Sequence, residues 1–205
     1  MLVLTLDEKR FRSSCESLAG IVAGAGRKYA VAIPVITGGA RVADIMLPEL
    51  NRLYASAAGT GISDGLSRYD VFFQRPSTAR KDSVPVVFKI LRKLPRFVSD
   101  IIRMAESEYH SLFSRKISCR RPVLPPPLTK RLAELPEGSG ILVIDDSVDT
   151  GNTVAGICDE LKRINSGLRI EVAVITTTMN NPMVIPDFSL YPARTLIRFP
   201  WSKDF

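Results

Sequence analysis

Asp145, Asp146 and Asp149 lie within a few residues of Thr150, Gly151, Asn152 and Thr153, directly after the apolar run Ile141, Leu142, Val143 and Ile144. Four consecutive β-formers of this kind read as a buried parallel strand. In an open α/β sheet, ligands sit beyond the carboxyl ends of such strands. Asp145 and Asp146, at that end, are acceptors suited to a pair of sugar hydroxyls. The turn that follows offers hydroxyls, a glycine and backbone N–H groups at the start of a helix, which is a ready phosphate site. One end of the segment suits a polyol and the other a phosphate, so the implied ligand is a sugar phosphate. A single Asp at a strand end can simply cap the next helix. Three carboxylates ahead of Thr-Gly-Asn-Thr exceed what a cap requires.

A second candidate lies upstream. Residues 29–34 read as a short buried strand, and Thr37, Gly38 and Gly39 follow it as a turn into a helix. Adjacent glycines let backbone approach an anion closely, and a helix start directs N–H groups at it. By itself the pattern is also that of a plain strand-to-helix turn.

The elements that must position these groups alternate between two periodicities. Residues 6–25 have helical spacing, and 40–53 are helical with Pro48 as an expected kink. Residues 57–67, rich in Gly and Ser, read as a loop, and 69–74 as a strand. Residues 97–113 carry an amphipathic helical pattern, and 122–127 form an extended proline run. A helix over 153–164, a strand over 169–178 and a last strand over 195–201, broken at Pro200, complete the chain. Strands alternating with helices predict an α/β fold, a parallel sheet flanked by helices. With 205 residues it forms a single domain, 1–205, with a basic insertion or hood at about 75–131.

Composition narrows the chemistry. The net charge is +7, but residues 75–131 hold 14 Lys and Arg against 4 Asp and Glu, a local balance of +10. Such a patch attracts a polyanionic small substrate or nucleic acid through the same field, or is simply a solvated insertion. It has no recognised reading motif, so nucleic-acid binding is expected to be weak and non-specific at most. His110 is the only histidine, which disfavours a His-based zinc site or a Ser-His-Asp triad. Cys15, Cys119 and Cys158 are scattered without metal-ligand spacing and read as free thiols. No apolar run is long enough to span a bilayer, and the apolar start at 1–6 is too short for a signal core. A cytoplasmic protein is expected.

The stretch 141–153 resembles the ribose-phosphate signature of the type I phosphoribosyltransferases: an apolar strand, two acidic residues, then Asp-Thr-Gly-x-Thr. Residues 31–43 look like the pyrophosphate loop of that family, and 186–201 resemble the tail of its xanthine-, guanine- and hypoxanthine-specific members. The resemblance implies transfer of ribose 5-phosphate from 5-phosphoribosyl 1-pyrophosphate to a nitrogenous, purine-like base, with Mg²⁺ assisting and pyrophosphate released. It implies that Asp145 and Asp146 hold the ribose hydroxyls, directly or through the waters of the metal. Asp149, Thr150, Gly151, Asn152 and Thr153 would cradle the 5-phosphate, Asp149 would act as the general base, and Thr37, Gly38 and Gly39 would meet pyrophosphate. It also implies a homo-oligomer engaged in nucleotide salvage.

Three departures are visible. Thr37 stands where purine-salvage members carry Arg or Lys, with Arg41 a substitute within reach of the same helix start. The stacking aromatic of xanthine-guanine members falls near Leu196, and no lysine occurs in 176–181 to read a purine oxygen. Phe199 or Trp201 could stack on a base instead, with Asn180 or Asn181 at its edge, or Trp201 could be a core anchor. Two other classes therefore stand beside the enzyme: a non-catalytic sensor that controls nucleotide metabolism, and an assembly module using 97–113 as a partner helix.

Overall fold

The computed structural model describes residues 2–36, 38–58, 66–73 and 122–202. The amphipathic pattern at 97–113, the cysteine at 119 and most of the basic segment lie outside the described residues, as does Thr37.

Residues Ile141 to Ile144 have no exposed surface, and they form the middle of the central strand. This strand, β5 (Gly140–Val148), lies between β2 (Val31–Ile36) and β6 (Arg169–Thr177). On the outer edge of β2 run β3 (Ser67–Arg68) and β4 (Val71–Phe72), which share one register and form a single interrupted strand. Beyond β6 lies the short β7 (Phe188–Ser189). Every pairing is parallel.

Alternation along β5 and β6 divides the core in two. Leu142, Ile144, Ala173 and Ile175 face α1 (Glu8–Gly24) and α2 (Gly38–Ala58), where Leu18, Met46 and Leu50 are fully buried. Ile141, Val143, Val172 and Val174 face the other side, against Leu128 and Leu132 of α3 (Pro126–Glu134) and Ile157 and Leu161 of α4 (Asn152–Ile164). Each such Leu or Ile withdrawn from water contributes about 1.5–3 kcal/mol, so the two-sided sheet is held from both faces. The expected parallel sheet flanked by helices is what forms.

Several boundaries differ from the sequence reading. The helix expected from residue 40 begins at Gly38, so the glycine pair is its first turn rather than a turn before it, and the helix continues through Pro48 to Ala58. The proline run is extended only to Pro125, and Pro126 opens α3. Its missing N–H costs nothing in the first turn, where that group would have no helical partner. Residues 126–131, counted by charge in the basic segment, thus belong to a helix that buries Leu128 in the core. The apolar start, Leu2–Thr5, is a strand (β1) in parallel with β8 (Thr195–Arg198), a long-range pairing with no local signal.

At the starting end of the sheet, Glu171 is buried and accepts a hydrogen bond from Tyr29 Oη at 2.6 Å while pairing with Arg27 and Arg169. This network anchors the strands at the end opposite the loop after β5. Among the described residues, no helix is long and apolar enough to cross a membrane.

Candidate functional site

Hydrogen bonding carries β5 past the apolar run, with Ser147 and Val148 still in register with Thr176 and Thr177. Asp145 and Asp146 are therefore strand residues, and strand geometry sends them to opposite faces. Asp145 is only 3% exposed, and its Oδ1 accepts the Asp146 N–H at 2.9 Å. Asp146 is half-buried and turns toward α2; the Ser147 hydroxyl lies 3.3 Å from its Oδ1.

The acidic strand end and the glycine pair meet there. A Cβ on Gly38 would fall on the Asp146 carboxylate, and one on Gly39 would fall on the Ile144 carbonyl oxygen, 2.9 Å from Asp145 Cα. Glycine at both positions lets the first turn of α2 rest directly on β5. The N–H groups of that turn, which have no partner within the helix itself, carry the positive end of the helix dipole, which favours the nearby carboxylate or a bound anion.

The loop after β5 closes in the same region. Gly151 is the N-cap of α4 with φ 78°, a left-handed conformation natural to glycine. An added Cβ there would also meet the backbone nitrogens of Val184 at 2.8 Å and Met183 at 3.0 Å. The Thr150 carbonyl accepts the Met183 N–H at 2.8 Å, and its hydroxyl oxygen accepts the Asn152 N–H at 3.5 Å. Thr153 is half-buried in the first turn of the helix. Two helix N-termini, those of α2 and α4, thus flank one strand end, a geometry suited to an elongated polyanion.

Asp149 is exposed at the mouth of this loop. Its carboxylate accepts a hydrogen bond from the Thr178 hydroxyl, and the Thr178 N–H donates to the Val148 carbonyl at 2.9 Å. Residues 176–181 contain no lysine, and the contact made by Thr178 is not apparent from the sequence alone. The available signal was a hydroxyl residue at the end of the strand that neighbours the acidic loop.

The aromatic expectations resolve toward structure. Phe199 is 5% exposed and stacks on Trp201 at 4.8 Å with an interplanar angle of 8°, while Phe11 meets Trp201 edge-on at 4.9 Å. The Arg41 guanidinium lies over the Trp201 ring, 5.0 Å from its centre. Trp201 is thus a core anchor at the chain end, and Arg41 has that ring as its partner. Leu196 is half-buried.

A cleft of about 480 Å³ opens at the end of β6, lined by Thr177, Met179, Asn180, Pro182, Ile185 and Tyr191, among others, and none of its described lining residues is charged. Asn180 and Asn181 are both exposed. Burial pushes the Cys15 thiol up to about 12 and Cys158 up to about 11, so both stay protonated at neutral pH. Among the described residues, no three His, Cys, Asp or Glu side chains converge on a possible metal position.

Comparison with known proteins agrees with this fold. No curated protein sequence matches significantly. A purine phosphoribosyltransferase from Pyrococcus horikoshii Ot3 superposes with a TM-score of 0.53 at 18% identity, over 99% of this chain and 96% of that one. A hypothetical protein from Neisseria gonorrhoeae with bound ppGpp gives 0.58 at 15%, over 98% and 89%. A Helicobacter pylori xanthine-guanine-hypoxanthine phosphoribosyltransferase gives 0.50 at 12%, over 98% and 95%. The phosphoribosyl transferase domain model matches residues 6–189, and with the parallel sheet and the loop after β5 in place, the chain belongs to that family.

Proposed function

We propose that the protein transfers ribose 5-phosphate from 5-phosphoribosyl 1-pyrophosphate to an uncharged, purine-like base. The observation that carries this reading is the meeting of Asp146 with the first turn of α2 beside the N-terminus of α4. An acidic strand end between two anion-favouring helix starts suits a ligand with a phosphate at each end and a diol between.

The 5-phosphate would rest on the loop from Asp149 to Thr153, held by the N–H groups at the start of α4. Pyrophosphate would meet Thr37, Gly38 and Gly39. Asp146 would hold a ribose hydroxyl, whereas Asp145, turned inward, would brace the main chain of Asp146 by accepting its backbone N–H. The donor set suits Mg²⁺ in the way this ion usually binds, through one or two carboxylates, several waters and substrate phosphates rather than an all-protein cage. Asp146 is the better ligand of the adjacent pair because it is less buried than Asp145. Bound there, Mg²⁺ would supply charge neutralisation of the leaving pyrophosphate.

In the reaction the bond from the anomeric carbon to pyrophosphate breaks, and a bond to the base nitrogen forms. The ring proton passes to Asp149, which is exposed at the loop mouth. The cleft beside Thr177 offers a carboxylate-bearing ring no basic partner among its described lining residues, so it suits a neutral ring better. A homo-oligomer working in cytoplasmic salvage, with at most weak nucleic-acid affinity in its basic segment, completes the proposal.

The test is a screen of purine and pyrimidine bases for pyrophosphate release, with the ribosyl donor and Mg²⁺. Turnover with a neutral purine is expected. Tight donor binding without turnover on any base would favour the second reading, a non-catalytic sensor of the donor or of a nucleotide. Thr37 in place of a basic residue supports that alternative, as does the similarity to the Neisseria protein that binds ppGpp.

A further inference from the structure

The Thr178–Asp149 contact is a junction between two strands, and we infer that Thr178 is a positioning residue for the proton-accepting carboxylate. The inference rests on the transferase reading and extends it to a residue that the loop motif does not contain. Thr178 is 6% exposed and follows directly on β6, while Asp149 is exposed and follows directly on β5. The Thr178 N–H holds the Val148 carbonyl at 2.9 Å, so its backbone is clamped to the residue just before Asp149. From that fixed point its hydroxyl donates to Asp149 Oδ1.

An exposed Asp otherwise samples several side-chain rotamers. Tied through one oxygen, it keeps one orientation and leaves Oδ2 as the atom that receives the proton of the incoming ring nitrogen. A hydroxyl serves this purpose without adding charge, so the carboxylate is oriented but not neutralised. Thr177, one residue before Thr178 in the chain, lines the cleft proposed for the acceptor, so the tether ties Asp149 to the strand end that borders it.

The experiment compares wild type, Thr178→Val, Thr178→Ala and Thr178→Ser, each first checked for folding by thermal denaturation. Valine keeps the β-branched shape and removes the hydroxyl; alanine is the second variant should valine fail to fold, and serine keeps the donor. Crystal structures read the Asp149 rotamer without any need for activity. A single rotamer in wild type and Thr178→Ser, with redistribution in Thr178→Val, is expected. With the acceptor base found by screening, kcat should fall about 10- to 100-fold in Thr178→Val, the scale of a small misplacement of a catalytic group. KM for the ribosyl donor should hold, and Thr178→Ser should restore kcat. An unchanged Asp149 rotamer in Thr178→Val overturns the tether, and a loss confined to KM overturns the catalytic role. No turnover by wild type on any base overturns the transferase reading and the catalytic use of the tether together, while the rotamer comparison still decides the tether itself.

Discussion

The carboxylate of Asp146 fills the space in which a side chain on residue 38 would begin, so the end of β5 and the first turn of α2 share one position. Gly39, one residue on, rests instead on the carbonyl of Ile144, which is fully buried main chain. The two glycines therefore face obstacles of different stiffness. A side chain can rotate away; the backbone of a central strand cannot.

That difference predicts opposite signatures for two alanine variants. Gly39→Ala should lose about 1–3 kcal/mol of stability, the usual cost of overpacking, against a helix-propensity gain of at most about 1 kcal/mol. Gly38→Ala should keep most of its stability but displace Asp146 and weaken ribosyl-donor binding. Urea titration and calorimetry on both variants read the two quantities separately. Equal stability losses would refute the distinction.

The adjacent carboxylates should separate in the same manner. Asp146→Asn is expected to lower Mg²⁺-dependent affinity for the ribosyl donor by about tenfold or more, equivalent to about 1.4 kcal/mol, at near-normal stability. Asp145→Asn alters a group that is 3% exposed, and it should lower the melting temperature as well. Calorimetry with and without Mg²⁺, beside thermal melts, checks both. Unchanged donor affinity in a folded Asp146→Asn variant would remove this residue from the site.

Asp149→Asn preserves an oxygen that can accept the Thr178 hydroxyl but removes the proton acceptor. Turnover should fall about 10²–10⁴-fold, as general-base losses do, while donor affinity changes far less. Steady-state kinetics on the acceptor base, with a direct binding measurement, distinguishes the two. Near-normal turnover would end the general-base assignment.

Burial raises the Cys15 thiol from 9.0 to about 12, so the folded state retains a proton that the unfolded chain releases from about pH 9 upward. Stability must then fall as pH rises from about 9 toward 12, because the unfolded state binds fewer protons in that window. Cys158, raised to about 11, adds to the same slope. Denaturant titrations at pH 8, 9 and 10 should show this decline, and Cys15→Ala should make it shallower. An identical slope in that variant would show that other groups control alkaline stability.

The parallel sheet and the place of the loop after β5 were legible in the sequence because both are local. Ile141 to Ile144 declare a doubly buried strand by composition alone, and the acidic, hydroxyl and glycine residues from Asp149 to Thr153 are visible as a strand-to-helix loop by type and order. Helices α1 and α4 followed from hydrophobic period and fell within about two residues of their expected bounds. The short strands did not follow, since β1 and β7 exist only by pairing with distant partners and have too few residues for a pattern.

Residue types at 145 and 146 are also the same in sequence, and nothing local distinguishes their roles. Continuation of the β5 ladder to Val148 decided that Asp145 turns inward while Asp146 meets α2, because strand side chains alternate. Likewise Trp201 could be read as a base platform or a core anchor until its ring was found stacked on Phe199 under Arg41. The hydroxyl of Thr178 became relevant only when the ends of β5 and β6 were laid side by side. Sequence determined which chemical groups the protein has and the elements that carry them. Tertiary structure decided which of them face one another, since facing across strands and helices depends on register and close approach between segments far apart in the chain.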